Sequence, residues 1–73
     1  MRRWKQMVNQ WILDDLIEEA IIVSLKILVK LIEKKFFRFV KDNNIIFYSK
    51  EEELELKKYF EKEYKRNYLK KHN

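Results

Sequence analysis

Asp14 with Glu18 and Asp15 with Glu19 stand four residues apart, a spacing that puts each carboxylate pair on one face of a helix and offers oxygen ligands to a divalent cation. No histidine lies near them and no third donor is evident, so the run reads as negative charge complementing the positive end of a helix. Glu51, Glu52, Glu53 and Glu55 read the same way. Nucleophilic chemistry has less to stand on. The chain holds no Cys, no Thr, two Ser (Ser24 and Ser49) and a single His, His72, next to the last residue, so no nucleophile, base and orienting group can be assembled. It also lacks Gly, and phosphate-cradling loops need backbone conformations that only Gly reaches cheaply. No enzyme, cofactor, metal site or small-molecule substrate is expected, and the absent Cys excludes disulfides and thiolate zinc sites.

The remaining residues with chemistry to offer are basic and aromatic. Lys and Arg number 17 against 12 Asp and Glu, for a net charge of +5 and a pI near 9.5. Arg2, Arg3 and Lys5 cluster at one terminus, and Lys65, Arg66, Lys70 and Lys71 interleave with Tyr64 and Tyr68 near the other. Cations alternating with rings suit phosphate contact and base stacking. A third cluster, Lys34, Lys35, Arg38 and Lys41, lies between them. The plainer role for each is compensation of a helix dipole by a solvated end, and no helix-turn-helix, ribbon-helix-helix or zinc motif fixes their geometry. The leading expectation is a non-enzymatic protein that binds nucleic acid through Arg2, Arg3, Lys5, Lys65, Arg66, Lys70 and Lys71. The rival is a protein-binding module or inhibitor docking on a larger host protein. Lys, Ile, Asn, Glu, Phe and Tyr dominate as AT-rich codons would make them, a texture shared by many phage, viral and low-GC bacterial proteins. The third reading is association with an anionic membrane surface through Trp4 and Trp11 beside Arg2, Arg3 and Lys5.

The elements that must position these residues are helical. With 73 residues, 47% of them hydrophobic and 40% charged, the chain can form one small domain over 1–73 that collapses yet stays solvated. Acidic residues precede basic ones twice, the order a helix dipole favours, which predicts an all-α fold with two long helices, about 14–41 and about 50–71. The second opens on a capping box, Ser49 to Glu52, and repeats Leu56, Phe60, Tyr64 and Tyr68 every four residues. The first carries apolar stripes on nearly all sides: Ile17, Ile21, Ser24, Leu28 and Leu31; Leu13, Leu16, Ala20, Val23 and Ile27; and Ile22, Leu25, Val29, Ile32, Phe36 and Phe39. Only Asp15, Glu19, Lys26, Lys30 and Glu33 are left for water. A helix so encircled needs cover from several directions, which predicts a bundle completed by homodimerisation through Ile17, Ile21, Leu28 and Leu31.

Trp4, Met7, Val8 and Trp11 predict a short N-terminal helix, either joined to the long one or broken near Leu13. Asp42, Asn43 and Asn44 predict a turn. Ile45 to Tyr48 predict an extended connector under the helices, or a strand pairing with a second copy. The basic N-terminus lacks the unbroken apolar stretch and small-residue cleavage site of a signal peptide. Ala20 to Ile32 is too short for a membrane span and contains Lys26 and Lys30. A cytoplasmic location is expected.

Overall fold

The computed structural model describes residues 4–18 and 23–71, which form three helices: α1 (Trp4–Glu18), α2 (Leu25–Asp42) and α3 (Lys50–Lys71). Among the described residues there is no strand, so the fold is all-α. Lys5 meets Tyr59, Trp11 meets Phe60 and Asp15 meets Tyr64, which makes α1 and α3 parallel. Trp11 on Phe39 and Asp15 on Lys35 make α2 antiparallel to both.

The long helix expected over 14–41 is divided. Val23 and Ser24 are not helical, and Ser24, expected in a helix interior, is the N-cap of α2, with φ −66° and ψ 160° and its hydroxyl accepting from the Ile27 N–H at 3.5 Å. The β-branched run Ile21, Ile22, Val23 weakens helix propensity just before this cap. The N-terminal helix does not stop near Leu13 but runs through it to Glu18.

That division explains the core. Stripes drawn across residues 14–41 lose their common register at the break, and each helix buries one face of its own. These faces are Trp4, Val8, Ile12 and Leu16 on α1, Leu28, Ile32, Phe36 and Phe39 on α2, and Leu56, Phe60, Tyr64 and Tyr68 on α3. Leu28, expected between two copies, is 1% exposed inside its own chain's core. Ile17 is 79% exposed, Leu31 is half-buried and Ile21 lies outside the described residues. One chain thus covers part of what an unbroken helix would have left bare, while Leu13, Ile17, Leu25, Ile27 and Val29 stay exposed. Phe60 centres the packing, its ring 5.3 to 5.9 Å from those of Trp11, Phe36, Phe39 and Tyr64, within the range of favourable aromatic pairs.

The turn after α2 is the helix stop that the Asn pair predicts. Asn44 adopts φ 50°; the Ile45 N–H reaches the Val40 carbonyl at 3.1 Å and the Asn44 N–H that of Lys41 at 3.2 Å, a Schellman closure with Asn where Gly is usual. The connector folds under the helices, with Ile45 and Phe47 half-buried and Ile46 and Tyr48 exposed. Phe47 packs edge-on to Trp4 and stacks on Phe36. At the start of α3 the Ser49 hydroxyl accepts from the Glu52 N–H at 3.2 Å, while Glu52 Oε1 is buried without a partner. One arm of the expected capping box is closed.

Candidate nucleic-acid interface

Because α1 and α3 are parallel, the start of α1 and the end of α3 lie at opposite ends of a molecule 36 Å long. Lys5 therefore does not share a surface with Lys65, Arg66, Lys70 and Lys71. Arg2 and Arg3 lie outside the described residues, and Lys5 is exposed with its ammonium 5.8 Å from the centre of the Tyr59 ring. At the far end Arg66 grips Glu63 through Nε at 2.9 Å and Nη2 at 2.6 Å. Lys71 donates to the Leu16 carbonyl, supplying positive charge to the negative end of α1. Lys65 is half-buried and Lys70 exposed.

The acidic residues around Asp14 also take a different place from the one their order suggests. Asp14, Asp15 and Glu18 sit at the end of α1, not at the start of a helix, so the helix dipole works against them. Compensation comes from other helices. Asp15 Oδ2 accepts from Lys35 Nζ at 2.6 Å and from the buried Tyr64 hydroxyl at 2.6 Å, tying α1 to α2 and α3. The Lys35 and Asp15 side chains retain only 11% and 14% exposure. The Tyr68 hydroxyl accepts from the Val23 N–H at 2.8 Å, anchoring the α1–α2 connection to the end of α3. Among the described residues no group of three or more His, Cys, Asp and Glu side chains could hold a metal ion.

The outer face of α2 brings cations together. Lys26, Lys30, Lys34 and Arg38 recur every four residues, and Lys41 follows; all five are exposed. At 1.5 Å per residue the row runs for about 22 Å. The apolar face of the same helix is buried in the core, which holds the row outward. Among the described residues none of the five forms a salt bridge, whereas Lys35 is turned inward to Asp15. Between the cations lie three exposed apolar side chains, Ile27 at 51%, Phe37 at 64% and the less exposed Val29, and one carboxylate, Glu33. On the α1 side the row is bounded by a groove of about 300 Å³ lined by Trp11, Asp14, Asp15, Glu18, Arg38 and Asp42. A polyanion lying along α2 is repelled from that flank.

The four-residue spacing from Lys26 to Arg38 is visible in the sequence. On one encircled helix Lys26 and Lys30 fall on a narrow solvated line, and Phe37 belongs either to a membrane-facing surface or to the buried aromatics; in the structure it is 64% exposed. No known protein family, curated protein or solved structure matches this chain. No helix formed by the described residues is long and apolar enough to cross a membrane.

Proposed function

We propose that this is a non-enzymatic nucleic-acid-binding protein whose contact surface is the outer face of α2, Lys26, Lys30, Lys34, Arg38 and Lys41. The observation that carries the reading is the row itself: five exposed cations on one helix face with a single carboxylate among them. Such a row attracts phosphate by releasing condensed counterions. The face carries no Asn, Gln, Ser or Thr, so it lacks the amide pairing that reads adenine, and its four lysines and Arg38 suit phosphate on any sequence. Binding is therefore governed by the backbone and indifferent to sequence. Lys70 and Lys5 lie at the two ends of the molecule and add general positive potential.

The test is fluorescence anisotropy on labelled oligonucleotides of unrelated sequence across a salt series. Replacing Lys30, Lys34 and Arg38 with Gln is expected to weaken binding by a similar factor on every sequence. It should flatten log affinity against log salt by about 2 to 3, at about 0.7 to 0.9 for each phosphate no longer neutralised. An unchanged slope removes α2 from the interface.

A second reading rests on Leu13, Ile17 and Leu25, exposed where α1 ends and α2 begins. This surface suits a protein contact, and it is where we place the homodimer interface, with a larger host protein as the competing occupant. Its residues are not those of the cation row, so the two readings invoke different side chains.

A further inference from the structure

We infer that the α2 face takes single-stranded nucleic acid in preference to duplex, with Phe37 as the stacking platform for a base; the inference rests on the polyanion reading of α2. Phe37 is 64% exposed although it belongs to the residue type that most repays burial. Its neighbour Phe36 is 1% exposed and belongs to the core, so the pair of rings is divided between inside and outside by the helix period. Helix geometry sets Lys34 three residues before Phe37 and Lys41 four residues after it, both on the adjoining surface, with Arg38 next in sequence. A ring held between cations on a rigid helix is the arrangement by which proteins grip single strands: cations follow the phosphates, and a base lays its face on the aromatic side chain.

Duplex offers this ring little. Its bases are stacked on one another and present only edges and thymine methyl groups in the grooves, so Phe37 would meet phosphate or water. A single strand presents base faces, and any base serves, which agrees with a surface poor in groups that read base edges. A lipid surface is the other partner that rewards an exposed ring among lysines. Here it is disfavoured because Leu28, Ile32, Phe36 and Phe39, the side chains that would enter the bilayer, fill the core. Ile27, Val29 and Phe37 alone make a short anchor.

The experiment compares the full chain with Phe37→Ala and Phe37→Trp, both expected to fold because the side chain is exposed. Anisotropy is read on a short oligothymidylate, on its duplex with oligodeoxyadenylate, and on anionic phosphatidylserine vesicles. The parent should bind the single strand more tightly than the duplex at equal salt. Phe37→Ala should weaken single-strand binding about 5- to 150-fold, the worth of one stacked base, with duplex binding unchanged, and Phe37→Trp should retain the parent's affinity. Equal binding of both nucleic acids with no effect of Phe37→Ala overturns the single-strand preference while leaving the polyanion reading of α2 intact. No binding of either at low salt overturns both, and vesicle binding abolished by Phe37→Ala would then assign the ring to a membrane surface.

Discussion

Asp15→Ala distinguishes the tertiary role of this carboxylate from the role its sequence position suggests. Complementing the start of a helix would make the side chain worth about 0.3 to 1 kcal/mol at low ionic strength. In the structure it accepts from Lys35 and from Tyr64, both at 2.6 Å, and Tyr64 is wholly buried. Its removal takes this acceptor from the hydroxyl of a buried ring at a part-buried site, at about 1 to 3 kcal/mol. It also takes a carboxylate partner from a poorly exposed ammonium, which adds about 1 kcal/mol once residual solvent contact is allowed for. The expected cost is about 2 to 4 kcal/mol, most of the stability a domain this small possesses. At about 4 to 8 °C per kcal/mol for a chain of this size, the midpoint falls by more than about 8 °C. Urea titration followed by far-UV circular dichroism measures the cost. Lys35→Met in the Asp15→Ala background should recover part of it, because the poorly exposed charge that Asp15 compensated goes too, giving a coupling of about 1 kcal/mol or more. An Asp15→Ala cost within about 0.5 kcal/mol, the usual range for a surface substitution, would refute the three-helix network.

Leu28→Lys should unfold the chain at any concentration, since it buries an ammonium without a partner, whereas Lys30→Glu should leave the circular dichroism spectrum unchanged and weaken nucleic-acid binding; a Leu28→Lys protein that stays folded as a monomer contradicts the intramolecular core. On the dimer proposal, light scattering at micromolar concentration should give twice the chain mass of 9.3 kDa, and Ile17→Lys should halve it with helix content preserved. A parent mass of 9.3 kDa ends that proposal.

Much of the fold was legible wherever one helix answered to one local signal. Leu56, Phe60, Tyr64 and Tyr68 repeat at four residues and are the buried residues of α3; Ser49 caps that helix, and Asn44 supplies the left-handed residue that ends α2. These depend on contacts within a few residues, so the order of residue types specifies them. The break before α2 was not legible, because Ser24 has Ile27 rather than Glu or Gln at the third helical position and so lacks the reciprocal half of a capping box. The apolar 4-3 spacing also runs across the break without interruption.

What tertiary structure alone decided is which charges face solvent. Lys34, Lys35, Arg38 and Lys41 look alike in sequence, yet Lys35 is held by Asp15, twenty residues away, and the other three are exposed. The terminal clusters are equally plain in composition, but the parallel course of α1 and α3 sends Lys5 to the end opposite Lys70 and assigns Lys71 to the Leu16 carbonyl. Charge and its local period are properties of the chain. Convergence of charges depends on helix direction and on partners distant in sequence, which the order of residues specifies only through the packed core.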